Sequence, residues 1–417
     1  MKMTGQRGFH MMAKPMGPIC NLNCKYCFYL EKHELFDQNE KFLMNDEVLE
    51  AYIKKYINSQ SIPEISFVWQ GGEPMLAGLD YYKKAINLQK KYAGEKKIIN
   101  SIQTNGTLLD DEWCAFLKEN GFLVGISLDG PVFFHDKYRV NRQAKSTFYE
   151  VVAGIKLLKK YQIEFNVLMC VTKESARYGK RIYQFFKQMG VRHIQFTPLV
   201  ERVPDEQAMK MNLNYALPPV AGEGKLSEVV TSFSVEPIAY GEFLVEVFDQ
   251  WVKNDVGKIF ISNIEVVLPA WMGLGATMCT YAEKCGESVI IEHNGDIYSC
   301  DHFMYPSYRL GNILIDDPMQ LVKSKQQMEF GEVKNKKLSQ KCRNCEVLFA
   351  CRGGCPKHRF VQYQGDNFAT NYLCEGYKKY YTYIHRYMKA MVQLIENGLP
   401  ASKVMELQKG PIIMFND

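Results

Sequence analysis

The chain has 417 residues, 47% of them hydrophobic, and a formal net charge of +5. That length accommodates one large domain and a smaller one beside it, and the mild charge, spread along the chain, leaves no basic footprint for nucleic acid. No window approaches the ~20 apolar residues of a membrane span, and the opening MKMTGQRGFHMMAKPMG lacks a signal peptide's apolar run, so a cytoplasmic protein with neither membrane nor nucleic acid as partner is expected.

From residue 8 to 200, strand-like and helix-like patterns alternate. Strands are predicted at 8–14, 64–70, 98–103, 122–128, 163–171 and 193–199. The clearest helix is DEVLEAYIKKYINS, 46–59, with Val48, Leu49, Tyr52, Ile53, Tyr56 and Ile57 on one face and Asn45 or Asp46 as cap. Another spans 147–160. Six successive βα units predict a parallel sheet, either doubly wound or curled into a partial barrel, and in both ligands gather at the C-terminal strand ends. Those ends carry unusual loops: three cysteines after the first strand, QGGEP after the second, TNGT after the third and SLDGP after the fourth. TNGT by itself reads as an ordinary turn; the loops together on one rim favour a site.

Residues 201–234, rich in proline, glycine and charge, break the rhythm and read as a long surface insertion or linker. A connecting helix is predicted over 236–252. Beyond about residue 260 regular elements thin out, and VIIEHNGDIYSC signals a hairpin turning at Asn294–Gly295. After Cys374 comes a helix, YKKYYTYIHRYMKAMVQLIENG, and a short tail.

Thirteen cysteines in a chain without an export signal do not suggest a disulfide framework. Their grouping predicts metal: Cys20, Cys24 and Cys27; then Cys279, Cys285 and Cys300; then Cys342, Cys345, Cys351, Cys355 and Cys374. Cys114 and Cys170 stand alone and read as small buried hydrophobes. Three ligands in one loop leave one of four positions open, which suits binding and activating a substrate, whereas four would close the site. By spacing alone, a zinc ion completed by a distant cysteine remains an alternative.

C-x3-C-x2-C after a first strand, followed by an aromatic residue, resembles the signature loop of the radical S-adenosylmethionine (SAM) superfamily. The resemblance implies a partial (β/α)6 TIM-like barrel and a 4Fe–4S cluster on Cys20, Cys24 and Cys27. The open iron of that cluster binds SAM, whose reductive cleavage yields a 5′-deoxyadenosyl radical. Carried over by position, it puts Tyr26, Gly72, Ser127, Arg139 and the backbone near Val200 around SAM. Arg139 suits the methionyl carboxylate, and glycines in QGGEP suit close approach.

The later cysteines resemble the SPASM domain, which implies a small cysteine-rich domain with a β-hairpin and C-terminal helices. It implies two auxiliary, fully ligated 4Fe–4S clusters, three clusters in all. One is assigned Cys279, Cys285, Cys300 and Cys355, the other Cys342, Cys345, Cys351 and Cys374; C-x2-C pairs alone leave zinc open. The expected division is a barrel core over 1–235 and a connecting helix, SPASM domain and C-terminal helix over 236–417.

The whole chain resembles the anaerobic sulfatase-maturating enzymes, in KPMGPICNLNCKYCFYLEK, WQGGEPMLAGL, FLVGISLDGP, YSCDHF and CRNCEVLFACRGGCPKHRF. That implies hydrogen abstraction at Cβ of a cysteine or serine in a C/S-x-P/A-x-R motif of a sulfatase, leading to Cα-formylglycine. The substrate is then an unfolded or peptide segment of the sulfatase, and a flavodoxin or ferredoxin supplies electrons. Asp301 matches the family's catalytic aspartate; a carboxylate shielded there is expected to have a raised pKa and to act as base. Gln70 and Tyr29 match positions lining the target side chain. Two readings compete. A SPASM maturase forming thioether or other crosslinks in a ribosomal peptide often carries an N-terminal peptide-binding domain, for which the stretch before Cys20 leaves no room. A non-catalytic iron–sulfur electron carrier needs neither an open cluster position nor a glycine-rich rim.

Overall fold

The computed structural model describes residues 8–225 and 229–407, so the predicted tail is described only to residue 407. Six strands follow the expected rhythm: β1 (His10–Lys14), β2 (Glu64–Trp69), β3 (Lys97–Thr104), β4 (Leu123–Ser127), β5 (Phe165–Val171) and β6 (His193–Pro198). They pair in parallel and in chain order. A doubly wound sheet reverses its strand order at a switch point; this order never reverses, so the sheet is the partial barrel. A two-residue β7 (Phe260–Ile261) adds in parallel to β6.

The crossovers are α1 (Asp46–Ser59), α2 (Leu79–Tyr92), α3 (Asp111–Glu119), α4 (Phe148–Lys160) and α5 (Gly179–Gln188). In α1 the Asn45 side chain accepts from the Val48 N–H, and the six predicted apolar residues are the buried ones. Among the described residues no helix is long and apolar enough to cross a membrane.

The predicted hairpin is not a separate module. Its first strand, β8 (Ser288–Glu292), runs parallel to β1 with Lys14 opposite Glu292, and β9 (Asp296–Tyr298) and β10 (Arg309–Asn312) continue the sheet antiparallel. Gly295 takes φ +87° in the turn between β8 and β9. Pairing β8 to the barrel's first strand puts the β8–β9 turn at the C-terminal strand ends, and Asp301, just past β9, meets Lys14 at the end of β1. One hydrophobic core accordingly runs from Phe9 to Val404.

Two long helices, α6 (Pro237–Asn254) and α7 (Cys374–Glu396), cross where both have glycine: a Cβ on Gly241 would stand 2.5 Å from the Gly376 carbonyl oxygen. Backbone cannot yield as a flexible side chain does, so Gly241→Val is expected to destabilise by about 3 kcal/mol, the upper part of the overpacking range. A lower thermal midpoint under anaerobic conditions checks this; an unchanged midpoint would mean the crossing is looser than described.

The 201–234 segment is more than a surface insertion. Ala208, Leu213 and Tyr215 are buried; the Tyr215 hydroxyl donates to the Lys25 carbonyl at 2.9 Å, and the Asn214 N–H donates to Glu31 at 2.6 Å. It straps over the cysteine loop through these few anchors.

Candidate active site

The loop after β1 carries Cys20, Cys24 and Cys27, all free thiols. Cys20 Sγ accepts from the Leu22 N–H at 3.3 Å and from the Asn105 amide at 3.7 Å. The Asn105 amide also donates to Asn21 at 2.8 Å, and its backbone N–H donates to Glu73 at 2.8 Å. TNGT is therefore part of the site rather than an ordinary turn. Glu73, wholly buried, also receives the Thr104 hydroxyl at 2.7 Å and the Met75 N–H at 3.0 Å. Burial pushes its carboxyl up to about 7, the three donors offsetting only part of that.

Gly72 explains the glycine-rich motif. A Cβ there would overlap the Ile19 carbonyl, and the Gly72 N–H donates to the Gly17 carbonyl at 2.8 Å. The close approach that demands glycine is between QGGEP and the cysteine loop itself. The three thiols feel one another's charge. Burial, then Glu73, pushes Cys20 up to about 12, and burial first of all raises Cys24 and Cys27 too. Thiols so placed ionise only with a strong local cation, which suits iron. Among the described residues no group of three or more His, Cys, Asp or Glu side chains is placed as a single-ion metal site.

Around this loop, Arg139 Nε lies 3.0 Å from Asp129 Oδ2, and the Tyr26 hydroxyl donates to the same carboxylate. The guanidinium carbon sits 5.5 Å from the Tyr26 ring centroid. Burial opposes the charge on Arg139, but Asp129, foremost among its anionic neighbours, holds it protonated. Asp129 also receives the Cys170 N–H at 3.0 Å. Ser127, at the end of β4, receives the Gln103 amide at 3.1 Å. Val200 is buried just past β6, where Leu199 bridges the Val171 carbonyl and the Val235 N–H. Cys114 is buried in α3 as expected, but Cys170 is only half buried and receives the Arg139 guanidinium at 3.9 Å.

At the junction with β8–β10, Lys14 Nζ meets Asp301 Oδ1 at 2.5 Å. The ammonium also lies 4.5 Å from the Tyr29 ring centroid, and the Tyr29 hydroxyl donates to the buried Glu292 at 2.5 Å. Gln70 is seated beside them by its N–H bond to the Ala13 carbonyl, 2.9 Å. Burial pushes the Asp301 carboxyl up, but Lys14 above all, with His302 and Lys357, holds it below its ordinary value. The expected upward shift is thus overturned by a cation from β1. His302 turns Nδ1 towards Cys355 Sγ, 3.6 Å away; burial, reinforced by Lys357, brings its pKa down to about 4 and keeps it neutral.

Next to this group Lys32 is wholly buried, 3.5 Å from the Tyr305 ring centroid, with no hydrogen-bond acceptor among the described residues. Burial lowers its pKa from 10.5 to about 7, against the pull of Glu31. The unfolded chain therefore binds more protons between those two values, and stability rises with pH across that window. Lys32→Met is expected to flatten the rise and to exceed the parent at the window's acid end, read as urea midpoints. Parallel profiles would remove Lys32 as the cause.

The remaining cysteines fall into two neighbourhoods. Cys300 lies in the field of Cys355 and Cys279, and Cys355 in that of Cys285 and Cys279. Cys351 lies in the field of Cys342 and Cys345, and Cys374 in that of Cys342 and Cys351. Burial is the main upward influence on all four.

The sequence reading missed Lys14, Asp129, Glu292 and Asn105. Asp129 and Asn105 sit in rim loops already singled out, so the strand-end rule applied residue by residue would have found them. Lys14 and Glu292 meet only through the β1–β8 pairing.

Residues 15–186 match the model of the radical SAM superfamily, and residues 279–346 match that of an iron–sulfur cluster-binding domain, SPASM. The chain is 45% identical to a serine-type anaerobic sulfatase-maturating enzyme of Bacteroides thetaiotaomicron, over 97% of this chain and 96% of the relative. It is 34% identical to a cysteine-type anaerobic sulfatase-maturating enzyme of Clostridium perfringens, over 89% and 95%. A solved structure described as native anSMEcpe with bound AdoMet and Cp18Cys peptide superposes with a TM-score of 0.79 at 31% identity, covering 94% of this chain and 99% of that one.

Proposed function

The chain belongs to the anaerobic sulfatase-maturating enzymes, a radical SAM family, and on that premise we propose that it oxidises a cysteine or serine of a sulfatase to Cα-formylglycine. SAM and iron–sulfur clusters are its cofactors, and a peptide segment of the sulfatase is its substrate. The observation that carries the reading is the convergence at one barrel mouth of the three-cysteine loop, the Arg139–Asp129 pair and the Lys14–Asp301 pair.

Cys20, Cys24 and Cys27 hold the SAM-binding cluster; Cys279, Cys285, Cys300 and Cys355 hold one auxiliary cluster, and Cys342, Cys345, Cys351 and Cys374 the other. The two thiol neighbourhoods support this division. SAM held at that cluster would supply a 5′-deoxyadenosyl radical for hydrogen abstraction at Cβ of the target. Tyr26, Gly72, Ser127 and the backbone near Val200 surround SAM. Arg139, oriented by Asp129, meets its carboxylate. Tyr29 and Gln70 line the target side chain, and Tyr29 is fixed by Glu292.

Asp301 takes the S–H or O–H proton as the substrate carbon loses its second electron. Lys14 keeps that carboxylate ionised and ready. A weakly basic carboxylate suffices, because electron loss from carbon beside sulfur or oxygen makes the attached proton strongly acidic. The sulfatase segment carries a C/S-x-P/A-x-R motif, and a cytoplasmic flavodoxin or ferredoxin reduces the enzyme.

The test is anaerobic incubation with short CxPxR, SxPxR and scrambled peptides, read by mass. Formylglycine removes about 18 Da from the cysteinyl and about 2 Da from the seryl peptide. The relative at 45% identity is serine-type, so the seryl peptide is expected to react. No mass loss from either motif peptide, with SAM cleavage intact, would overturn the assignment.

A further inference from the structure

We propose that Lys334 and Arg359 form a buried cation pair between the two auxiliary cysteine sets and raise the reduction potentials of the clusters held there. The inference rests on the reading of those sets as 4Fe–4S sites.

Lys334 is wholly buried, and its ammonium donates to three backbone carbonyls: Cys279 at 2.5 Å, Thr280 at 2.8 Å and Ala282 at 2.5 Å. Arg359, also buried, donates from Nε to the Gly353 carbonyl at 2.9 Å and from Nη2 to that of Arg352 at 2.9 Å. Its Nη1 donates to the carbonyl of Lys334 itself at 2.6 Å, which joins the two residues. Buried cations ordinarily lie against carboxylates. Here the direct partners found among the described residues are neutral carbonyls.

Ligated as thiolates, the cysteines around the pair would supply the compensating negative charge. Lys334 is tied to the Cys279 backbone by its ammonium and feels Cys285, Cys355 and Cys279, all in one set, while burial lowers its pKa. Arg359 is tied to the Arg352 and Gly353 carbonyls, in the turn between Cys351 of one set and Cys355 of the other, and feels Cys342, Cys351, Cys285 and Cys355. The pair thus stands between the sets, with Arg359 facing both and Lys334 facing one. Burial weakens the screening of these charges by water.

A fixed positive charge stabilises whichever state of a neighbouring cluster carries one more electron. Conversion of the target needs such an acceptor. An auxiliary cluster held by these cysteines would take up one electron as the substrate carbon radical is oxidised, the proton going to Asp301 and the electron passing on to a low-potential electron-carrier protein. Cations placed here favour that uptake without touching substrate, so Lys334 and Arg359 are positioning residues, not catalytic ones.

The experiment is a redox titration of the anaerobic holoenzyme followed by electron paramagnetic resonance, without SAM or peptide. Arg359→Gln is expected to lower both auxiliary potentials, by about tenfold in the reduced-to-oxidised ratio at fixed poise, or about 59 mV for one electron. Lys334→Met is expected to lower mainly the potential of the set containing Cys279. Arg359→Lys, which keeps the charge, stays near the parent, as does the SAM-binding cluster in every variant. Full iron with unchanged potentials overturns the proposal, as does an Arg359→Lys shift as large as that of Arg359→Gln. If Arg359→Gln loses iron, Lys334→Met and Arg359→Lys carry the comparison; if all three lose it, the residues anchor loops and the proposal falls. A parent protein without iron at these cysteines defeats the cluster reading instead.

Discussion

Asp301→Asn is expected to hold every cluster and to cleave SAM at the parent rate while formylglycine yield falls on the order of 10²- to 10⁴-fold, the range for losing a positioned general base. The substitution keeps the size of the side chain and its place beside Lys14 but removes the proton acceptor. In the proposed mechanism hydrogen abstraction does not involve Asp301, so 5′-deoxyadenosine is expected to continue to appear, uncoupled from product. Lys14→Met tests the same point from the other partner. Without the ammonium, the largest downward influence is lost and burial is opposed only by His302 and Lys357, so the carboxyl moves up and the active form is expected to set in at higher pH. Parent-level formylglycine from Asp301→Asn would remove this residue from the mechanism and leave the neutral His302 as the nearest other base.

That Lys14 governs Asp301 could not be read along the chain. The six βα units were legible because each is local: α1 announces itself by Val48, Leu49, Tyr52, Ile53, Tyr56 and Ile57 on one face, and β5 by FNVLMCV. The cysteine spacing was legible for the same reason. The choice between a doubly wound sheet and a partial barrel was not, since βα units in a row look alike whichever way each crossover turns. Only the monotonic pairing of β1 to β6 decides it.

The β1–β8 pairing joins residues far apart in the chain, and periodicity carries no information about such partners. Lys14, Glu292 and the downward shift on Asp301 all follow from that one pairing. The strap at 201–234 was hidden differently. Its anchors, Leu213 and Tyr215, lie in a short alternating run, Met209, Met211, Leu213, Tyr215 and Leu217, that the surrounding prolines, glycines and charges mask as loop. Asn105 looked like a turn former because it is one, its Oδ1 accepting from the Thr107 N–H at 3.0 Å; the contact with Cys20 uses the other end of the same amide.

Alanine at Cys24 and alanine at Cys345 should part the two halves of the chemistry. Cys24 lies in the field of Cys20 and Cys27 beside Arg139, and the three-cysteine loop has no spare thiol to replace it. Cys24→Ala is expected to abolish both 5′-deoxyadenosine and formylglycine and to remove about one cluster's iron while the auxiliary iron stays. Cys345 lies in the field of Cys351 and is assigned to the set that does not contain Cys300. Cys345→Ala is expected to lower iron and formylglycine while 5′-deoxyadenosine persists, because radical generation needs only the N-terminal loop. Cys279→Ala should behave likewise, with the larger loss of product, since its set includes Cys300, the neighbour of Asp301. Iron content that is unchanged in both auxiliary variants would refute the ligand assignment. Loss of 5′-deoxyadenosine in Cys345→Ala would instead mean that electrons reach the SAM-binding cluster through the auxiliary sets, reversing the direction in which Lys334 and Arg359 favour their flow.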